Sequence, residues 1–323
     1  MTSVLLEDRE VTRARRLDFE CSQCGAATDA VVGTKRAESA ICRECFGKGV
    51  DRRPRELNEL SGRQWAQYSR SVEQYPDTRS RKQRLHGASF PISLASRQIE
   101  IYTKRGDTVL DPFVGIGTTL DASASLGRKG IGVDLNKTFT AEARRDIVAG
   151  GYAKSQRVIT GDARRLSRLI EPSSADFLLT SPPYGALLSK VRAAFAYKWQ
   201  EHSTIKSIPN PIPYSENAAD LGNLEYEPFL DALGICLAET RKVLRPRAYA
   251  VWVVKDFRGL KKGIPYINFH GHLIERAEKA GFTLWDIQIY DQTKFRPLVC
   301  LGFPSRNFYL NIGHSYLVVL RNP

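Results

Sequence analysis

The chain has 323 residues, 42% hydrophobic and 26% charged, with 48 Lys+Arg against 35 Asp+Glu and a net charge of +13. That is the balance of an ordinary soluble globular protein, long enough for one large domain with a small appendage. No uninterrupted apolar run reaches the roughly 20 residues of a membrane helix, and the N-terminal stretch MTSVLLEDREVTRARR is too charged for a secretory signal. A soluble, cytoplasmic protein without a membrane partner is expected. The basic excess points to a polyanionic partner such as nucleic acid, with a merely basic housekeeping protein as the alternative.

In chain order, residues 1–16 form a charged leader. Residues 17–50 hold four of the six cysteines as two close pairs, Cys21/Cys24 and Cys42/Cys45, with seventeen residues between them. This is the spacing of a four-thiolate zinc ribbon. Gly25 and Gly47 follow the two pairs and permit tight turns. Tetrahedral Zn2+ would substitute for the core that so short a segment cannot build. A closed four-cysteine site leaves no open position for chemistry, so the expected role is structural. The module would present Lys35, Arg36 and Arg43 to DNA, or else support a homodimer. Reduced, unliganded thiols are the competing reading. Residues 51–85 are polar and basic, ending in Arg79, Arg81, Lys82 and Arg84, and suit a linker that follows phosphates or is merely solvated.

From about residue 90 the pattern changes to alternating strands and helices. Thr108–Asp111 is a predicted strand, followed by a Gly-rich turn and a helix through about Leu126. Gly130–Asp134 is a second strand with a helix over 138–149. Val158–Ile159 and Phe177–Thr180 are two more strands. A helix over 228–244 leads into a strand at Tyr249–Val254, then a helix near 270–280 and strands near 283–290 and 315–321. This alternation predicts an α/β fold with a mostly parallel twisted sheet covered by helices on both faces. Residues 185–226 fit neither period and are expected to be an inserted loop. Trp199, Tyr197 and Tyr214 in that loop are candidates to wedge beside an extruded base, or to pack beneath it. Trp252 is expected in the core, and His270, His272 and His314 in structural roles.

Ligands of such sheets sit at the carboxyl ends of the strands, and the motifs fall there. Asp111-Pro-Phe-Val-Gly-Ile-Gly-Thr118 follows a strand and opens a helix. Gly115 and Gly117 let the backbone approach a ligand, and the helix start offers unpaired N–H groups. Asp134, at the end of the next strand, is placed to accept from a ribose diol. Asp162, after the third, is placed to accept from an adenine amino group. A single Gly-x-Gly is equally a plain turn, but three acids at three successive strand ends argue for a site. The chain lacks a Gly-x-Gly-x-x-Gly fingerprint and a P-loop, which argues against NAD and ATP and for a nucleoside cofactor without pyrophosphate.

Thr180-Ser-Pro-Pro-Tyr184 closes the fourth strand. Two prolines remove two backbone donors and leave carbonyls to accept from a ligand. Ser181 Oγ and the Pro182 carbonyl would accept the two protons of an amino group on a planar ring, and Tyr184 would stack on that ring. A proline-rich turn that simply caps a strand is the alternative.

The two motifs resemble the cofactor and catalytic segments of the amino-DNA methyltransferases. His86-Gly-Ala-Ser-Phe-Pro91, Asn58–Trp65, Tyr249–Asp256, Gly281–Asp286 and His314–Pro323 extend the resemblance over about residues 57–323. It implies a Rossmann-like class I methyltransferase fold over residues 86–323. S-adenosyl-L-methionine would be held by Phe90, Asp111, Phe113, Gly115, Gly117, Thr118, Asp134 and Asp162. The target base would be held by Ser181, Pro182, Pro183 and Tyr184, after flipping out of a duplex. Ser before the prolines is typical of cytosine-N4 members, so methylation of cytosine N4 in DNA is favoured over adenine N6. The cofactor segment precedes the catalytic one here, whereas many Ser-Pro-Pro-Tyr enzymes have the opposite order. The resemblance also suggests a bacterial, archaeal or phage setting of restriction–modification, with a partner restriction enzyme left open. Two further readings rank lower: an RNA guanine-N2 methyltransferase, and a catalytically silent zinc-ribbon protein that binds DNA.

Overall fold

The computed structural model describes residues 15–21, 25–47, 57–76, 89–184, 217, 219–259, 264–295 and 306–323. The chain divides into two compact units, Met1–Glu56 with Leu60–Gln67, and Leu57–Glu59 with Tyr68–Pro323.

In the first unit, β1 (Arg16–Glu20) pairs antiparallel with β2 (Ala27–Val31). The hairpin begins at Arg16, inside the expected leader. Two short helices follow, α1 (Lys35–Glu38) and α2 (Arg43–Gly47). Thr34 caps α1, its hydroxyl accepting from the Ala37 N–H. A further helix, α3 (Gly62–Tyr68), comes after residue 60. Part of the segment expected as linker, residues 57–76, thus has defined structure, and residues 77–85 lie outside the described set.

The second unit is built on one sheet. Its strands are β3 (Val72–Glu73), β4 (Thr108–Asp111), β5 (Lys129–Asp134), β6 (Gln156–Thr160), β7 (Ala175–Thr180), β8 (Leu244–Val254), β11 (Thr283–Asp291) and β12 (His314–Arg321). Among the described residues the order is β3-β11-β12-β8-β7-β4-β5-β6. Only β12 runs against its neighbours in that order, so the sheet is mostly parallel, as expected. A separate hairpin joins β9 (Phe257–Gly259) to β10 (Ile264–Ile267).

The central strands bury both faces, and period-2 alternation sends their side chains to opposite layers. Leu110, Leu178, Ala250, Trp252 and Leu320 share one core cluster with Phe229 and Leu233 of α7 (Tyr226–Val243) and Leu273 of α8 (Phe269–Lys279). On the other face Tyr102, from α4 (Ile92–Tyr102), stacks on Phe177 at 5.3 Å and packs on Tyr249 at 5.0 Å. Helices α5 (Thr118–Ser125) and α6 (Lys137–Ala149) follow β4 and β5. Trp252 is fully buried, as expected of a core residue.

Two anchors hold residues that precede α4. Glu73 pairs with Arg97 at 2.6 Å, and β3 runs beside β11. Glu59 accepts from the buried guanidinium of Arg128 at 3.0 Å, while Asn58 donates to the Ile101 carbonyl at 2.7 Å. Among the described residues no helix is long and apolar enough to cross a membrane.

Candidate active site

The site forms where β4, β5, β6 and β7 end. Beyond Asp111 the chain turns through Pro112–Gly117, with Gly115 at φ 52° and Gly117 at φ 92°. These left-handed conformations are cheap for glycine and strained for other residues. The Val114 N–H donates to the Val133 carbonyl at 2.9 Å, and the Gly115 N–H donates to Asp134 Oδ2 at 2.8 Å. The turn is therefore pinned over the end of β5.

Asp111 is 3% exposed and bonded on all sides by protein. Its Oδ1 accepts from the Phe113 N–H at 3.1 Å and the Thr180 hydroxyl at 2.6 Å, and its Oδ2 from the Thr119 hydroxyl at 2.5 Å. Burial pushes its carboxyl up to about 6; the three hydrogen bonds oppose the rise and Asp134 adds to it. Asp111 thus ties the Gly-rich turn to the last residue of β7.

Asp134 is held by backbone alone, through Gly115 and the Asn136 N–H at 2.8 Å. Burial raises it to about 6, against those two bonds and with a further push from Asp220. Asp162 differs. Burial would raise its carboxyl, but the Arg164 guanidinium outweighs this and holds it below the usual value. Arg164 forks onto it at 2.7–3.1 Å and also donates to the Ala219 carbonyl at 2.9 Å.

Phe113, Asp134, Asp162, Ser181, Pro182, Pro183 and Tyr184 line one pocket of about 700 Å3, counting its open mouth. The predicted base-binding groups therefore share one cavity with three of the predicted cofactor-binding groups, Phe113, Asp134 and Asp162. Phe90, Asp111, Gly115, Gly117 and Thr118 do not line it. Asp111 and the glycines shape its wall from behind, Thr118 is buried in the first turn of α5, and Phe90 sits just before α4. Tyr184 is partly buried. Its ring meets Phe269 at 5.4 Å and 63° and Phe257 at 6.4 Å and 88°, both edge-on.

Sequence reasoning missed several members. Asn136 lines the pocket and caps α6, accepting from the Thr138 N–H at 2.9 Å. Phe139 lines it from the same helix. Asp220 lines the opposite side and accepts from the Gly222 N–H at 2.8 Å, starting a short 3-10 turn at Leu221–Asn223. Asn before a helical pattern and Asp two residues before Gly were the available signals. The loop expected over 185–226 is thus folded from residue 219 onward, while residues 185–216, with Tyr197, Trp199 and Tyr214, lie outside the described set.

In the first unit the sulfurs of Cys21, Cys42 and Cys45 lie within 4.8 Å of one another. The Cys42 N–H donates to Cys21 Sγ at 3.2 Å, and the Cys45 N–H to Cys42 Sγ at 3.3 Å. Cys24 falls outside the described residues. Arg36 donates to the Asp29 carbonyl, so its head is tied into the module rather than presented outward.

Residues 44–145 match the N6/N4-type methyltransferase family, described as DNA methylase. Type II methyltransferase M.BglI of Bacillus subtilis is 36% identical over 91 residues, 28% of this chain and 26% of that protein. Type II methyltransferase M.MthZI of Methanothermobacter thermautotrophicus is 48% identical over 56 residues, 17% of this chain and 16% of that one. The DNA adenine methyltransferase YhdJ of Escherichia coli is 36% identical over 92 residues, 27% and 31% respectively. The matched stretch spans less than a third of each curated relative. Among solved structures, TrmN from Thermus thermophilus has a TM-score of 0.46 at 18% identity, covering 75% of this chain and 52% of that one.

Proposed function

We propose that this chain is an S-adenosylmethionine-dependent DNA methyltransferase acting on an exocyclic amino group, cytosine N4 in preference to adenine N6. The observation that carries the reading is the meeting of Ser181–Tyr184 with Asp134 and Asp162 in one pocket at the ends of β5, β6 and β7. The donor set suits the cofactor. Asp134 offers a carboxylate to a ribose diol, Phe113 and Phe139 offer apolar walls, and no phosphate-binding fingerprint is present. When bound, S-adenosylmethionine supplies an electrophilic methyl group on a sulfonium.

The protein's share of the work is placement. An aryl amine is a weak nucleophile because its lone pair is delocalised into the ring. Ser181 Oγ and the Pro182 carbonyl would accept its two protons, favouring a pyramidal nitrogen with its lone pair aimed across the pocket. Tyr184 would hold the ring plane. As the N–CH3 bond forms the S–CH3 bond would break, leaving a neutral thioether, and the nitrogen would lose one proton to solvent, with no covalent link to the enzyme, so positioning and electrostatics supply the acceleration. Thr180 and Asp111 fix the distance between the two halves. A base must leave the duplex to reach this pocket. Ser181 favours cytosine through the family resemblance alone.

The test is nucleoside mass spectrometry of DNA incubated with purified protein and S-adenosylmethionine. N4-methylcytosine is expected. N6-methyladenine would keep the fold, cofactor and chemistry and overturn the base assignment. No methylated base on single- or double-stranded DNA would overturn the reading and shift weight to RNA or to a silent DNA-binding protein.

The first unit is read as a structural zinc module formed by Cys21, Cys24, Cys42 and Cys45. The supporting observation is the convergence of three sulfurs, two of them buried and accepting backbone N–H bonds. Tetrahedral zinc asks for sulfurs about 3.8 Å apart, from Zn–S bonds of about 2.3 Å. One equivalent of zinc per chain by plasma emission, lost in Cys42→Ser, is expected; zinc-free protein with a folded β1–β2 hairpin would overturn it.

A further inference from the structure

Asp256, a further buried carboxylate near the pocket, is absent from its lining. It lies two residues beyond the end of β8 and is 0% exposed. Its Oδ2 accepts from the Tyr266 hydroxyl at 2.5 Å and from His270 Nδ1 at 2.8 Å. Its Oδ1 accepts from the His270 backbone N–H and Nδ1, each at 3.0 Å. The His270 ring lies flat on Tyr316, 3.8 Å between centroids at 12°. Both nitrogens of His270 nearest the carboxylate are thus used, and the imidazole is fixed in plane and rotation.

The neighbours of this pair in the sequence give it a purpose. Phe257 is the residue after Asp256, and Phe269 is the residue before His270. Those are the two rings that meet Tyr184 edge-on, and they also meet each other at 6.2 Å and 63°. Tyr226 closes the same group, edge-on to Phe257 at 5.9 Å. At the start of α8 Asn268 accepts from the Gly271 N–H at 3.2 Å and Asp256 from the His270 N–H at 3.0 Å, so capping uses one bond of Asp256 and leaves those to the His270 ring and the Tyr266 hydroxyl for another role. Burying a carboxylate is costly unless its bonds accomplish something an apolar side chain would not. Here the bonds join the end of β8 to the start of α8, and so fix the spacing of Phe257 and Phe269.

We propose that Asp256, acting through His270, is a positioning residue that sets the plane of Tyr184 for stacking on the target ring. This rests on the function proposed above. A ring held at the wrong tilt leaves the amine misaligned, and displacement of about 1 Å costs on the order of 100-fold in rate.

The experiment is a double-mutant cycle read by transfer of labelled methyl from S-adenosylmethionine to DNA. Asp256→Asn is expected to lower kcat about 10- to 100-fold with KM for S-adenosylmethionine unchanged. In a Tyr184→Ala background the same substitution should cost nothing further. Losses that multiply, or a loss confined to KM for S-adenosylmethionine, would overturn the proposal. Should Asp256→Asn fail to fold, His270→Ala keeps the Asn268 cap and the backbone bond and takes its place in the cycle. A readout independent of turnover is 19F NMR of protein carrying 3-fluorotyrosine, with the Tyr184 resonance identified by its loss in Tyr184→Phe. That resonance should shift in Asp256→Asn, and one left unmoved would overturn the proposal. If the wild-type protein methylates no DNA, the function reading fails while the NMR result still decides this one.

Discussion

Strand β7 is braced differently on its two sides. Toward β4 and β5 the wall is held by two carboxylates, Asp111 bonded by one backbone N–H and two hydroxyls and Asp134 by two backbone N–H groups. Toward β8 and α8 the bracing is aromatic, Phe257, Phe269 and Tyr226 around Tyr184, with the Asp256 carboxylate one layer behind. The polar side fixes distances through directional bonds and carries titratable groups near neutrality. The aromatic side fixes the tilt of a plane through ring contacts. Under the proposed function, a reaction between a charged methyl donor and a flat neutral ring would draw on both kinds of support, one on each side.

That contrast can be broken most forcefully at Asp111. Asp111→Ala leaves the Thr119 and Thr180 hydroxyls and the Phe113 N–H without their shared acceptor, at about 1–3 kcal/mol per unsatisfied group. A stability loss of about 3–5 kcal/mol in urea unfolding is expected, together with loss of methyl transfer.

Asp134→Asn should move stability and binding in opposite directions. The Asp134 carboxyl titrates near 6 in the folded protein, against 3.8 for an ordinary aspartate. The folded state therefore holds the extra proton between those values. Its contribution favours folding below about pH 4 and is lost as pH rises through about 6. Calorimetric scans should show Asn and wild type alike near pH 4, with Asn ahead by about 2–3 kcal/mol above pH 6, at 1.36 kcal/mol per unit. Affinity for S-adenosylmethionine should fall in the variant, and in the wild type should weaken as pH drops through about 6. A pH-independent difference would refute the assignment of that titration to Asp134.

On the aromatic side, Tyr184→Ala should reduce turnover about 10- to 100-fold, the worth of one base–ring stack of about 1–3 kcal/mol. Cofactor affinity by calorimetry should stay unchanged, and Tyr184→Phe should retain most activity. A parallel loss of cofactor binding would mean the two sides are not separable. The smallest effect is expected at Arg164→Gln, which releases Asp162 from its forked partner. Because Arg164 and Asp162 are both partly exposed, the change should weaken cofactor binding only a few-fold.

The architecture was legible because long apolar runs and Gly-rich turns are local signals. Thr108–Asp111 and the helix at residues 226–243 came within a residue or two of their observed limits. β8 did not. It begins at Leu244, not Tyr249, because Pro246 and two arginines hide its first half, and Arg247 at φ 66° accompanies a register shift against β7. β3 is two residues long and takes its identity from pairing with β11, which no window over residues 51–85 reveals. At the site, the acids at the strand ends were readable, but their division of labour was not. Whether a carboxylate faces the ligand or the protein depends on Thr119 and Thr180, the second of them 69 residues from Asp111. Asp256 and His270, fourteen residues apart, were hidden for the same reason.

The anchoring of Leu57–Glu59 decides where the molecule can be cut. Arg128 is 5% exposed, and its guanidinium is shared among Glu59, the Thr103 hydroxyl and carbonyl, and the Leu126 carbonyl. A protease or a gene truncation that starts the sheet unit at Tyr68 would remove the carboxylate and strand a cation in the interior, and would strip the Asn58 amide from Ile101. The excisable boundary therefore lies before residue 57, upstream of a helix that belongs to the other unit, so neither unit can be released whole by a single cut.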